Sequence, residues 1–256
     1  TEKYPIYFFV PGDKYKFWNL FEIDTHFLGV KKPGIIFLFG TDKLGRDLFS
    51  RSFYAARISL SIGLIGVAFS FILGCGLGGV SGYFGGASDM AVQRVIELLI
   101  SIPTIPLWMA LSAALPADWP PIKTYFSITI ILSIVSWTGL ARVVRGKLIS
   151  SREEDFTMAA KVAGASDWRI ITRHLLPSFL SYLIVNLTLA IPWMILGETS
   201  LSFLGLGLRP PVVSWGVLLK NAQNASTIAL HPWLLIPGLF VIITVLAFNF
   251  LGDGLR

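Results

Sequence analysis

Long uncharged apolar runs constrain this chain more than any other feature. The stretch 58–84 carries no charged residue, and a helix needs about 20 apolar residues to cross the hydrocarbon core of a bilayer. Over 256 residues, 54% are hydrophobic and 14% are charged, whereas charged residues make up about a quarter of an ordinary soluble domain. The sequence therefore predicts an all-α integral membrane protein.

The apolar runs predict five membrane spans. The second run contains Pro103 and Pro106, which interrupt a helix. The chain begins with Thr and neither end carries a cleavable signal pattern, so we expect a longer protein with a further span upstream, six in all. The predicted spans are 58–84, 89–115, 125–141, 175–197 and 232–251.

The part before the first span is predicted to lie outside the membrane core. Residues 1–43 are rich in aromatic side chains and are broken by Pro and Gly, which favours a compact cap or loop, with an interfacial location or a binding surface as alternatives. From Asp47 to Arg57 apolar and charged residues recur on opposite faces of an amphipathic helix. This helix is expected to lie on the membrane surface before the chain enters the membrane. We therefore predict an extracytoplasmic segment 1–57 and a transmembrane domain 58–256.

The distribution of Lys and Arg predicts the orientation. The loop from Arg142 to His174 holds seven of them, whereas the facing loops hold only Lys123 in one and Arg209 and Lys220 in the other. Positive loops stay in the cytoplasm, so residues 150–177 are predicted to be cytoplasmic and residues 1–57 extracytoplasmic. The nine Lys and Arg of 1–57 oppose this assignment, but long segments translocate regardless of charge. The net charge of +6 thus gives no reason to expect nucleic-acid binding.

Residues 153–177, which we call the elbow, are charge-rich between two apolar runs. Gly164 can end a first short helix and Ser166 can cap a second. The first helix carries an alanine-rich apolar face at i, i+3, i+4 and i+7. Alanine buries little area in lipid but permits close protein contact, so a partner's docking surface is favoured over a membrane-surface loop. The face consists of Phe156, Ala159, Ala160 and Ala163.

A second small-residue pattern lies in the first span. Gly74, Gly78, Gly82 and Gly86 recur every four residues. Such a ridge lets another helix approach closely in a membrane. We predict helix packing at all four positions.

The sequence contains no recognisable catalytic or nucleotide-binding motif. The three histidines are far apart, and the single Cys75 lies inside an apolar run, which leaves no disulfide and no plausible metal site. We predict no catalytic residue, no metal and no cofactor in this chain.

Two acids lie near the membrane interior, where an unpaired carboxylate is costly. Glu97 can pair with Arg94 at i−3. Glu198 is expected at the outer end of the fourth span, where a structural role is favoured over substrate contact. The glycine- and proline-broken segment 199–215 is predicted to be re-entrant or superficial, and an outer pathway lining and an ordinary interfacial loop remain equally open. The pathway candidates are Glu198, Ser200, Phe203, Leu204, Gly205 and Trp215.

Several sequence motifs resemble those of a known protein family. The runs EDFTMAAKVAGAS (154–166), RII (169–171) and HLLP (174–177) resemble the "EAA" loop of ABC-importer permease subunits. Further motifs resemble the second, C-type permease of dipeptide and oligopeptide importers. They are GTDKLGRD (40–47), GYFGG (82–86) with Asp89, ETSLSFLGLG (198–207) with PP (210–211) and SWG (214–216), and LAFNFLGDGLR (246–256).

The resemblance implies the fold of a type I ABC-importer permease and a set of partners. These are a second permease subunit, two cytoplasmic ATPases that hold ATP and Mg, and an extracytoplasmic substrate-binding protein. It implies peptides as cargo, with oligosaccharides or nickel chelates as alternatives for the same machinery. A self-contained secondary transporter is the alternative to the ABC-importer machinery itself. Met158 stands where the EAA pattern often has Glu. The implied ATPase contacts are Asp155, Phe156, Ala159, Ala160, Gly164, Ala165 and Ser166.

Overall fold

The computed structural model describes residues 5–17, 21–30, 34–116 and 118–255. Two compact units divide at Ser50 and Arg51, a few residues before the boundary that the sequence placed at 57/58.

The first unit contains a β-hairpin that an all-α prediction did not include. Strand β1 (Tyr7–Phe17) pairs antiparallel with β2 (Phe21–Gly29). The register shifts between Pro11 and Tyr15, and such an irregularity lets a strand accommodate the Pro-Gly pair that had argued against regular structure.

A tight turn around Asp42 follows the hairpin. The amides of Leu44 and Arg46 donate to Asp42 Oδ1 at 2.9 and 3.0 Å, and Arg46 Nε donates to Oδ2 at 2.8 Å. Gly45, at φ 71°, supplies the left-handed residue that the turn requires. Burial raises the pKa of the Asp42 carboxyl, but the hydrogen bonds from Arg46 and Leu44 outweigh burial and hold the pKa below its usual value.

Most of the remaining described chain is helical. The elbow contains α5, α6 and the π-helical turn Ile171–Leu175, and 3-10 turns occur at Lys220–Ala222 and Pro232–Leu235. The α-helices are α1 (Leu48–Phe84), α2 (Gly86–Ser101), α3 (Thr104–Ala113), α4 (Pro121–Ser151), α5 (Asp155–Val162), α6 (Asp167–Ile170), α7 (Leu176–Ser178), α8 (Leu180–Phe203), α9 (Trp215–Leu219), α10 (Ala225–Leu230) and α11 (Ile236–Gly254).

Within the described residues, four helical stretches are long and apolar enough to cross a membrane, namely α1, α4, α8 and Pro232–Gly254. Helices α2 and α3 form a fifth candidate that is bent by 85°. The bend follows Ile102, which is extended (ψ 129°) before Pro103, because a residue that precedes proline avoids the helical region. The five predicted spans are thus present as four helices and one broken pair.

Several span boundaries differ from the prediction, and α4 (Pro121–Ser151) extends ten residues beyond the predicted end at 141. Helix α1 runs without a turn through Arg57, so the expected separate surface helix is wrong. Its 37 residues correspond to about 55 Å at 1.5 Å per residue, well beyond the bilayer core. Helix α8 begins at Leu180 rather than 175 and continues to Phe203, so the expectation of a re-entrant segment is wrong for 199–203.

Helices α1 and α4 meet almost backbone to backbone. A Cβ added to Gly78 would lie 2.5 Å from the Ala141 carbonyl oxygen, and one on Gly82 would lie 2.7 Å from the Arg145 carbonyl oxygen. A Cβ added to Gly74 would lie 2.9 Å from the Leu140 side chain. Gly86 does not belong to this ridge, because it opens α2 at φ 55° with no atom within 4 Å of an added Cβ.

A continuous apolar core joins α1, α4 and α8. Its central side chains are at most 1% exposed, and they come from all three helices. The core therefore fixes these three spans as one framework. It includes Ile62, Ile128, Leu132, Ile195 and Leu201.

Candidate functional site

The elbow is a helix–glycine–helix unit, as the sequence predicts. Helix α5 closes at Gly164 (φ 78°), where the Gly164 amide donates to the Lys161 carbonyl at 2.9 Å and the Ala165 amide to the Ala160 carbonyl at 3.0 Å. This pair of bonds is the Schellman arrangement. Ser166 Oγ then accepts from the Arg169 amide at 3.4 Å. The second helix, however, ends at Ile170 and passes into a π-helical turn.

One side of the elbow packs against the chain itself. Thr157 is fully buried, and its Oγ1 donates to the Ser151 carbonyl at the end of α4 at 2.9 Å. Ala160 and Ala165 are partly buried against the cluster that contains Ile170 and Leu175. The predicted apolar face is therefore divided, because Ala160 points inward. Ala165, one of the implied ATPase contacts, points inward as well.

The other side of the elbow exposes apolar side chains. Val162 is 88% exposed, Trp168 64%, Met158 49% and Phe156 39%. Asp155, Ala159, Ala163, Gly164 and Ser166 are exposed as well. This outer side, rather than the whole predicted set, is available to a partner.

An ion-pair cluster joins α1, α2 and α4 close to the elbow. Arg145 binds Asp89 in a bidentate arrangement, with Nε–Oδ1 at 2.5 Å and Nη2–Oδ2 at 2.6 Å. Ser81 Oγ donates to Asp89 Oδ1 at 2.6 Å. The sequence analysis named Asp89 only beside the GYFGG motif and paired it with neither Arg145 nor Ser81.

The two membrane acids have different surroundings. Glu97 forms the predicted pair with Arg94 at 2.8 Å, on an exposed surface. Glu198 is fully buried inside α8 rather than at its outer end. Its Oε1 accepts from Ser202 Oγ and Ser214 Oγ, each at 2.7 Å, and its Oε2 accepts from Ser59 Oγ at 3.3 Å.

Trp215 completes the network around Glu198. Its amide donates to Ser59 Oγ at 3.1 Å and its indole Nε1 to the Ser52 carbonyl at 3.0 Å. The carboxyl thereby joins α1, α8 and the start of α9, and neither Glu198 nor Trp215 reaches an open surface (0% and 1% exposed). The sequence analysis predicted neither contact with Glu198, because Ser214 was noted only within the SWG motif and a lone serine such as Ser59 carries no distinctive signal.

Three cavities of about 480, 250 and 350 Å³ are lined in part by α8, and together we call them the groove. The first and second share Asn186, and the second and third share Trp108 and Trp193. Tyr182 lies in the first cavity, and Ser200 and Leu204 lie in the third.

Two of the predicted pathway residues are engaged elsewhere. The Phe203 carbonyl accepts a hydrogen bond from Gln223 Nε2, and Gly205 (φ 81°) approaches Lys220 so closely that an added Cβ would lie 2.5 Å from its Nζ. Neither lines the three cavities of the groove.

Residues 74–256 match the family described as "Binding-protein-dependent transport system inner membrane component". The chain belongs to this family. The resemblance to ABC-importer permeases that rests on the sequence motifs is therefore confirmed, and with it a multi-pass helical membrane protein.

Relatives of this permease chain carry peptide-transport names. This chain is 40% identical over 219 residues to the dipeptide transport system permease protein DppC of Bacillus subtilis, and the match covers 85% of this chain and 66% of the relative. It is 41% identical over 219 residues to the oligopeptide transport system permease protein OppC of Haemophilus influenzae, covering 85% and 68%. The chain thus spans about two thirds of these relatives.

Solved structures support the permease fold. A chain from inward-facing conformations of the MetNI methionine ABC transporter superposes with a TM-score of 0.59 at 16% identity, covering 82% of this chain and 98% of that one. A chain of an amino acid ABC transporter superposes with a TM-score of 0.60 at 13% sequence identity, covering 80% of this chain and 92% of that one. The likeness at these identities concerns the fold, which is that of the membrane subunits of ABC importers.

Proposed function

We propose that this chain forms half of a translocation pathway for di- or oligopeptides in an ATP-binding-cassette importer. The observation that supports this proposal most directly is the exposed apolar outer side of the elbow, which lies between α4 and α8. The names of the relatives support peptides as cargo. The chain itself is proposed to hydrolyse no ATP.

The outer side of the elbow fits a protein partner on the cytoplasmic side. The stretch from Arg142 to His174, which comprises the end of α4 and most of the elbow, holds seven Lys and Arg, which favours a cytoplasmic location. Exposed apolar side chains there cost free energy unless a partner covers them. An ATPase subunit that holds ATP and Mg is the partner that we propose for this surface.

The groove along α8 is the proposed contribution to the pathway. Tyr182, Asn186 and Ser200 supply hydrogen-bonding groups, and Trp193, 75% exposed, supplies an aromatic surface. A peptide backbone carries donors and acceptors that such groups satisfy. A second permease subunit would close the groove, and an extracytoplasmic binding protein would deliver the peptide.

The test uses the complete complex reconstituted in lipid. In Ala159→Glu a charge enters the outer side of the elbow at an exposed position. We expect loss of the co-purifying ATPase and of peptide-stimulated ATP hydrolysis, with unchanged thermal unfolding of the isolated chain. Ala225→Glu, at an exposed alanine in the first turn of α10, is the matched control and should retain both. Normal uptake and ATPase retention in Ala159→Glu would exclude this coupling role.

A further inference from the structure

We propose that Tyr83 and Asp167 fasten the elbow to the end of α1, so that the first span of the chain moves with the elbow. The proposal rests on the proposed function, because it assumes that the elbow receives the movement of the ATPases. Tyr83 acts as a positioning residue and contacts no substrate.

The contact itself is a short hydrogen bond between distant parts of the sequence. Tyr83 OH donates to Asp167 Oδ1 at 2.7 Å across 84 residues of sequence. Tyr83 lies in the last turn of α1 and is 9% exposed, whereas Asp167 is the first residue of α6. A hydrogen bond with an ionised acceptor is stronger than a neutral one.

The same tyrosine also contacts the first helix of the elbow. Lys161 Nζ in α5 lies 5.4 Å from the centroid of the Tyr83 ring, within the range of a cation–π interaction. Tyr83 thus contacts both short helices, on either side of Gly164. Rotation of one helix against the other would break one of the two contacts.

Only side chains can connect the elbow to α1. The elbow continues covalently from α4 through residues 152–154 and into α8 through the π-helical turn, so those two spans follow it through the backbone. Helix α1 has no such connection. Its contacts with the elbow include the Tyr83 hydrogen bond, the Lys161 contact and the apolar packing of Tyr83 and Cys75 in the cluster with Ile170 and Ile171. Of these, only the hydrogen bond and the Lys161 contact are directional.

The backbone of Tyr83 is held firmly from the other side. Its neighbour Gly82 packs directly on the backbone of Arg145, and Ser81 donates to Asp89. A displacement of the Tyr83 hydroxyl is therefore transmitted to α1, because the end of this helix is fixed by its contacts with α4 and α2. Helix α1 then extends to Ser59 in the Glu198 network, about 36 Å away at 1.5 Å per residue.

The experiment compares Tyr83→Phe and Asp167→Ala in the reconstituted complex. The measured quantity is the number of peptides imported per ATP hydrolysed. Loss of one hydrogen bond should lower this ratio about fivefold. Asp167→Asn keeps an acceptor oxygen and should restore most of the ratio relative to Asp167→Ala.

Tyr125→Phe is the matched control. Tyr125 is 8% exposed, and its OH donates to Ser61 Oγ at 2.9 Å, so it also joins α4 to α1 but lies away from the elbow. This variant should keep the ratio of the unmodified chain. An unchanged ratio in Tyr83→Phe, or an equal loss in Tyr125→Phe, would overturn the proposal.

A second measurement separates this inference from the proposed function. Amide hydrogen exchange of residues 155–170 in the purified complex should rise about fivefold in Tyr83→Phe and stay unchanged in Tyr125→Phe. Absence of that rise overturns the fastening of the elbow. Absence of peptide import by the unmodified complex overturns the proposed function instead, and the exchange result still decides whether Tyr83 holds the elbow.

Discussion

Asp89 and Arg145 form a bidentate ion pair that joins the start of α2 to α4. Both hydrogen bonds are at most 2.6 Å long, and the side chains are 21% and 32% exposed. Ser81 of α1 donates a hydrogen bond to Asp89, so that a third helix contacts the pair. The pair therefore holds three helices together close to the elbow.

Removal of one charge from this pair should destabilise the chain. Asp89→Asn leaves the Arg145 guanidinium partly buried without a counter-charge, and we expect the free energy of unfolding to fall by about 2 kcal/mol. Thermal unfolding in detergent measures the change. The control is Glu97→Gln, since the Arg94–Glu97 pair is 76% and 61% exposed and should contribute at most about 0.5 kcal/mol. Equal effects of the two variants would contradict a structural role for Asp89.

The close approach of α1 and α4 predicts opposite effects for two glycines of one helix. Gly78→Ala places a methyl group 2.5 Å from the Ala141 carbonyl oxygen and should destabilise the chain by about 2 kcal/mol, because backbone must move. An alanine at Gly76 meets no atom within 4 Å and should stabilise the helix by up to about 1 kcal/mol. Melting temperatures of the two variants provide the test. Similar shifts would show that the helices are not in close contact at Gly78.

Glu198 should contribute to stability through its three serine partners. Glu198→Ala leaves the hydroxyls of Ser59, Ser202 and Ser214 without their shared acceptor, and we expect a loss of about 3 kcal/mol in unfolding free energy. Glu198→Gln retains an acceptor oxygen and should lose less. Ser200→Ala, at an exposed position of the same helix, should change stability by no more than about 0.5 kcal/mol. A Glu198→Ala chain that unfolds at the normal temperature would refute the network.

The turn at Asp42 should respond to acid. Its folded-state pKa lies below the ordinary value of 3.8, so its contribution to stability is complete above the unfolded pKa and is lost as pH falls through the lowered folded pKa. Thermal unfolding of the unmodified chain and of Asp42→Asn should therefore differ by about 1 kcal/mol at neutral pH, since the partly exposed Arg46 limits the gain. The difference should shrink below about pH 4. A difference that is independent of pH would show that the charge of Asp42 does not stabilise the turn.

Features that depend on neighbouring residues could be predicted from the sequence alone. The uncharged run 58–84 predicts a span because its length alone satisfies the bilayer. Gly164 and Ser166 predict the elbow, since a left-handed residue and a helix cap act within a few positions. Pro103 predicts the interruption of the second span, although not its angle.

Tertiary structure decided which distant residues meet. The hydrogen bond between Glu198 and Ser59 connects residues 139 positions apart, and nothing local distinguishes Ser59 from the other serines of α1. The inward orientation of Ala160, the isolation of Gly86 and the contact of Tyr83 with Asp167 follow from how the helices pack. A pattern of side chains records which face of a helix is apolar, but only the packed neighbours determine what that face contacts.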